Sequence, residues 1–118
     1  MRGWISLLCV LAVLAAGSGL AGEARFVSVI DDLPLMDGLV EVGDGMQFSG
    51  SDGRIAEVTA SGLVSRGDVL AFYARTLPQL GWTAASKTAF KREGEELKLL
   101  FETQADGLRV RFSLAPEK

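Results

Sequence analysis

The sequence has no histidine and a single cysteine, Cys9, close to its start. Histidine and cysteine supply the commonest general bases, nucleophiles and soft metal ligands of proteins. Beyond residue 9, chemistry could rest only on carboxylates, hydroxyls and amines. We therefore expect no enzyme, no cofactor and no bound metal. Disulfides are also excluded beyond residue 9, so packing must stabilise the fold.

The remaining polar groups do not form a convincing site. Glu95 and Glu96 are neighbours on a predicted strand, so their side chains point to opposite faces. Four acidic residues in one segment could bind Ca²⁺ weakly, although their spacing matches no EF-hand loop; they are Asp31, Asp32, Asp37 and Glu41. An enzyme that uses carboxylates alone is the least favoured hypothesis.

Positive charge is also scarce. Twelve Lys and Arg face fifteen Asp and Glu, which gives a net charge of −3, and no run of basic residues occurs. This balance argues against a nucleic acid or an anionic lipid surface as the partner.

The first 22 residues carry one charged side chain, Arg2. An apolar run follows Arg2 and ends in small residues, an order that is typical of a secretory signal peptide. We predict a signal peptide over residues 1–24, cleaved before Gly22 or after Ala24, and a periplasmic or secreted protein. The alternative is an uncleaved leader that anchors the chain in a membrane, since residues 3–22 are just long enough to span one.

Residues 25–45 read as an extended N-terminal arm. Pro34 lacks a backbone donor and favours extended geometry at Leu33, and Asp37-Gly38 signals a turn. Four apolar side chains are too many for a solvated linker, so we expect them to be buried against the domain; they are Leu33, Leu35, Met36 and Leu39. A flexible tether is the alternative.

A central helix is predicted after Ser65, which is a good N-cap, with Asp68 in a capping-box position. An apolar stripe follows at helical spacing: Val69, Tyr73, Leu77 and Leu80. Pro78 predicts a kink or a tighter turn, and Gly81 predicts the helix end.

Strand patterns lie on both sides of this helix. Residues 46–48 and 54–60 predict a hairpin before it, and short strands follow over residues 82–86 and 89–92. Residues 96–102 and 108–114 alternate apolar and polar side chains around the Asp106-Gly107 turn. We predict a single α+β domain over residues 46–118. In it, one central helix packs on an antiparallel sheet of about five or six strands in ββαβββ order.

Two stretches together resemble a known group of proteins. Residues 32–39 resemble a "D-aliphatic-P-aliphatic-x-P-G-A" opening, although Asp37 and Leu39 stand where Pro and Ala are usual. Residues 69–82 resemble "V-x-x-F-Y-x-x-x-L-x-x-x-G-W". The pairing is similar to small exported or lipoprotein-type bacterial domains of unknown function. This resemblance implies an α+β fold and an envelope location, and it supplies no catalytic residues.

The candidate binding residues combine the arm with two aromatics that flank the helix end: Leu33, Leu35, Met36, Tyr73 and Trp82. Tyr73 and Trp82 could line a ligand groove, and a core position is the alternative. We predict a non-enzymatic exported domain that binds an unidentified envelope protein or component through an open sheet edge. The alternative is a small-ligand carrier with a pocket between helix and sheet. The arm and the outer face of the terminal hairpin are the surfaces on which we expect function.

Overall fold

A computed structural model describes residues 25–117, so the predicted signal peptide over residues 1–24 lies outside the described residues. Three strands precede the helix: β1 (Val40–Glu41), β2 (Met46–Gly50) and β3 (Gly53–Gly62). The helix α1 (Arg66–Thr76) runs into a short 3₁₀ helix (Leu77–Leu80). Four strands follow: β4 (Thr83–Ser86), β5 (Ala89–Arg92), β6 (Glu95–Gln104) and β7 (Gly107–Pro116).

All seven strands belong to one sheet in the spatial order β1-β3-β7-β6-β5-β4, with β2 also paired to β3. Every pairing is antiparallel. Strands β1 and β2 share the edge of β3 that faces away from β7: Val40 lies opposite Ser61, and Met46 lies opposite Glu57. The two free edges of the sheet are therefore β1 with β2 on one side and β4 on the other.

The prediction of an α+β fold with an antiparallel sheet and one short helix is confirmed, but the finer prediction differs from the structure. The sheet has seven strands, three before α1 and four after it, instead of five or six in ββαβββ order. The extra strand before the helix is β1, which has two residues and was assigned to the arm. Its pairing with β3 is a contact across about twenty residues of sequence, and no local periodicity signals it.

The helix begins and ends where the sequence predicts. Ser65 is the N-cap, and its Oγ accepts a hydrogen bond from the Asp68 N–H at 3.0 Å. Pro78 stands in the first turn of the 3₁₀ helix, where a missing N–H does no harm, and Gly81 closes it with a left-handed φ of 94°. Leu80 was expected on the buried stripe but is 39% exposed. The tighter 3₁₀ turn rotates each residue further around the axis than an α-helix does, which turns Leu80 out of the stripe.

One face of the sheet, the inner face, carries the core. Alternate residues of β7 are fully or almost fully buried, as predicted: Leu108, Val110, Phe112 and Leu114. From α1 and the 3₁₀ helix, Val69, Tyr73 and Leu77 join the same cluster. Five buried side chains come from residues 25–39: Val27, Ile30, Leu33, Leu35 and Leu39. Helix and arm together cover the inner face, and each large side chain removed from water adds about 1.5–3 kcal/mol.

The arm does not run extended over residues 25–39. It turns back on itself, with Phe26 bridged to Pro34 in antiparallel fashion and the Val27 N–H donating to the Leu33 carbonyl at 2.9 Å. The Leu33 N–H donates to the Ile30 carbonyl at 3.0 Å and closes a turn with Asp31 and Asp32 at its centre. Aspartate favours such turns.

Three glycines allow the arm to reach the end of the sheet. A Cβ on Gly62 would fall on the carbonyl oxygen of Gly38 in the arm, and a Cβ on Gly107 would meet the carbonyl oxygen of Gly62 at 2.5 Å. Because backbone atoms form both contacts, no side-chain rotation could relieve them. The stack of Gly38, Gly62 and Gly107 therefore fixes how closely the arm approaches β3 and β7.

Gly62→Ala should lower the free energy of unfolding by about 3 kcal/mol, at the upper end of the usual cost of overpacking. Gly67→Ala is the matched control, since the nearest atom to its added Cβ is the Ser65 Oγ at 4.0 Å. In a helix, alanine should leave stability unchanged or raise it by up to about 1 kcal/mol. Urea denaturation of both variants tests this, and equal midpoints would contradict the close approach.

Candidate functional site

The five predicted binding residues belong to one hydrophobic cluster. Leu33, Leu35, Tyr73 and Trp82 are buried, and Met36 is half-buried against them. The structure brings them together where the arm packs on the helix and the sheet. Their side chains are occupied by these contacts, so a partner could reach them only if the arm moved away.

Tyr73 is the polar connection between helix and arm. Its hydroxyl donates to the Pro34 carbonyl at 2.7 Å and accepts from the Met36 N–H at 3.4 Å. Its ring meets Phe112 of β7 edge-on, with centroids 5.4 Å apart. Burial raises the pKa of the Tyr73 phenol, and the hydrogen bond from the Met36 backbone lowers it by less. The phenol is therefore held neutral as a donor to the arm.

Trp82 supports a second polar contact to the arm, which Arg92 makes. The guanidinium of Arg92 stacks 4.3 Å above its ring and donates to Asp32 at 2.6 Å and to the Leu80 carbonyl at 2.9 Å. The Arg92 side chain is 15% exposed and the Asp32 side chain is 47% exposed, so water screens this ion pair from the Asp32 side. Arg92 thus fixes the turn of the arm to β5 and to the residue that precedes β4.

Two of the four acidic residues considered as a calcium site make separate contacts. Asp32 pairs with Arg92, and Glu41 accepts from the Ser28 N–H at 2.8 Å and from the Ser28 hydroxyl at 2.7 Å. Within residues 25–117, no three acidic side chains come together as metal ligands would.

The opposite face of the sheet, the outer face, carries the exposed side chains of the strands. Because neighbouring residues alternate, it carries the polar side chains of β6 and β7, including Lys98, Glu102, Arg109 and Arg111. Along its β1–β2 edge it also carries a row of exposed apolar side chains, named here the apolar row: Val40, Val42, Met46, Phe48 and Ile55. Val40 is 63% exposed and Phe48 is 64% exposed.

A hollow of about 430 Å³ lies on the outer face of the sheet, on the terminal hairpin of β6 and β7. It is lined by Thr59, Leu100, Phe101, Glu102, Arg109 and Arg111. The Arg109 Nε is buried and has no hydrogen-bond partner among the described residues. Its Nη1 lies 3.9 Å from the Glu102 carboxylate, which is too long for a hydrogen bond. The hollow is therefore bordered by an arginine whose side chain is 42% exposed and whose covered Nε has no partner among the described residues.

Sequence reasoning missed this hollow. The outer face of the terminal hairpin was expected to carry function, but Arg109 and Arg111 were not singled out on it. A signal was present nevertheless, since two arginines at positions i and i+2 of a strand point to the same side. The strand register places Thr59 and Leu100 on either side of Arg111, and the sequence alone does not give this register.

Comparison of the chain with protein-family models, with curated proteins and with solved structures found no match. Among residues 25–117, no helix combines the length and the apolar character that a membrane crossing needs. Any function must be argued from the geometry just described.

Tyr73 is the only tyrosine of the chain, so its ionisation can be followed directly by absorbance at 295 nm. An unfolded chain loses the phenolic proton near an ordinary pKa of about 10, whereas the folded chain keeps it because burial raises the pKa of Tyr73. The contribution of Tyr73 to stability should therefore be constant below about pH 10 and should fall as the pH rises further. We expect tyrosinate to form only when the protein unfolds, and the fluorescence of Trp82 reports this unfolding. Ionisation of Tyr73 near pH 10 in protein that is still folded would contradict the buried hydrogen bond.

Proposed function

We propose that the protein is a non-enzymatic exported domain that binds a partner protein through the outer face of its sheet, at the β1–β2 edge. The observation that carries this proposal is the apolar row, five exposed apolar side chains that adjoin one another along that edge. Single exposed apolar residues are normal on protein surfaces, but contiguous ones mark interaction surfaces.

The two sheet edges differ in a way that supports the β1–β2 edge. Strand β4 has four residues, an irregularity between Ala84 and Ser86, and Lys87 directly after it. Short length, a bulge and a lysine are the devices that protect a sheet edge from pairing. Strand β2 has the sequence MQFSG, is regular over five residues and has neither charge nor proline. Its free backbone groups are open to a partner strand.

The non-enzymatic part of the proposal rests on composition and on geometry. Histidine is absent and the one cysteine lies at position 9. Of the acidic side chains considered as a metal site, Asp32 is paired with Arg92 and Glu41 with Ser28. Export rests on the predicted signal peptide.

A small-ligand carrier is the alternative, and it would need space between helix and sheet. Three surface hollows of about 430, 330 and 370 Å³ lie on the outer face or at the end of the sheet, and none of the three is lined by a residue of α1. Tyr73 and Phe112 fill the space between α1 and β7 with their rings in contact.

Site-specific photocrosslinking in the native host tests the proposal. A photoreactive residue at position 48, in the apolar row, should capture one specific protein. The same residue at position 71, which is exposed on α1, is the matched control and should not capture it.

The captured protein must then bind the purified domain. Phe48→Ala should weaken this binding at least about tenfold, since exposed aromatics are frequent hot spots. Equal capture from positions 48 and 71, or unchanged binding by Phe48→Ala, would contradict the proposal. A small molecule that co-purifies in native mass spectrometry, without any captured protein, would favour the carrier.

A further inference from the structure

The hollow on the outer face has a second property that the apolar row does not share. Arg109 and Arg111 stand on the same side of β7 with one residue between them. Their Cα atoms are therefore about 7 Å apart, so both guanidinium groups can reach one small anion. Arg111 makes no hydrogen bond or ion pair with another residue in the described part of the chain, and the Arg109 Nε has no partner there either.

An unpaired buried donor on a charged group is costly, and such groups in folded proteins are usually satisfied by a partner, a water or a ligand. The Arg109 Nε cannot be satisfied by Glu102, whose carboxylate lies 3.9 Å from the Nη1 on the other branch of the guanidinium. A planar anion with two oxygens would suit the exposed part of the Arg109 side chain, which is 42% exposed, because the guanidinium nitrogens of arginine form forks that match a carboxylate.

The charge of the hollow selects between anions. Two arginines and one glutamate leave a single net positive charge among the residues that line it. A monovalent carboxylate fits this charge better than a phosphate, which carries about −1.5 to −2 at neutral pH and would be repelled more strongly by Glu102.

The remaining lining residues indicate what kind of group the carboxylate is attached to. Leu100 lies opposite Arg111 on β6 and is 42% exposed, whereas the Phe101 side chain packs against the core on the inner face, opposite Val110. Thr59 lies opposite Arg111 on β3, and its hydroxyl can donate to an anion held between the strands. An apolar wall beside a cationic fork suits a carboxylate that is attached to an aliphatic stem.

We propose that this hollow binds a carboxylate carried on an apolar stem. Arg109 and Arg111 donate to its two oxygens, Thr59 donates at the rim, and the stem packs against Leu100. The carboxylate could come from a free aliphatic acid or from the C-terminus of a polypeptide. The site does not depend on the proposed partner at the β1–β2 edge, since a free acid alone can occupy it.

Nitrogen-15 NMR of arginine side chains tests this directly, because Nε–H signals report on each guanidinium. Hexanoate, titrated at constant ionic strength, should shift the Nε–H signals of Arg109 and Arg111 with half-saturation at about 1–10 mM, the range expected for so small a ligand. Arg75 on α1 is the internal control and should not shift. Hexanamide, which has the same stem without the charge, should leave all three signals in place.

Arg111→Gln should weaken hexanoate binding at least about tenfold. Lys87→Gln removes one positive charge from an exposed turn outside the hollow and should leave binding unchanged. Both positions are exposed, so the two variants should fold as the original chain does.

A tetrapeptide that ends in two leucines with a free C-terminus separates the two sources of the carboxylate. Tighter binding than hexanoate, lost on amidation, assigns the site to a polypeptide end; weaker binding assigns it to a free acid. Equal shifts at Arg75, equal effects of hexanamide, or binding that survives Arg111→Gln would each overturn the proposal. Failure of the photocrosslinking at position 48 would not affect these results, and their failure would leave the β1–β2 edge as proposed.

Discussion

The packing of the arm on the inner face of the sheet is the contact on which the rest of the structure depends. Helix α1 has eleven residues and buries two side chains fully, Val69 and Tyr73, with Leu77 following in the 3₁₀ helix. So short a helix cannot cover a sheet that is six strands wide. The arm supplies five further buried side chains, which is more than the helix supplies. The sequence makes the helix look like the organising element, but the core is closed by the arm.

Polar contacts fix the arm at two points. The Tyr73 hydroxyl holds the backbone on either side of Leu35, and Arg92 holds Asp32 at the turn of the arm. Both contacts join residues that are far apart in sequence, and both are part-buried. They also explain why the most recognisable residues of the chain serve its architecture: the aromatic residues and the Asp-Leu-Pro-Leu segment are parts of one joint.

The placement of the helix and the arm on one face leaves the outer face open. With the helix and the arm both on the inner face, no described element lies over the outer face, and its apolar row and its arginine hollow stay exposed to solvent. The proposed partner site and the proposed carboxylate site are thus two parts of one uncovered surface. They lie on opposite sides of β3, the first at its free edge and the second towards β7 and β6.

Local rules predicted the local parts of this structure. The Ser65 cap, the Gly81 end and the alternation of β6 and β7 depend on neighbours in sequence, and each was found. Strand β1, the folded arm and the Arg109–Arg111 hollow depend on strand register and on contacts between distant residues, which no local pattern encodes. Leu80 was misplaced for a related reason, because one proline changed the helical period by a fraction of a residue.

Native-state hydrogen exchange of the arm tests the central claim most directly. The Val27 and Leu33 amides are both hydrogen-bonded within the arm, and Val110 lies in the centre of the sheet. If the arm closes the core, all three amides should exchange only through global unfolding, with the same free energy of opening. Exchange of Val27 and Leu33 at a much lower free energy than Val110 would show that the sheet and helix are stable without the arm, and would contradict the account.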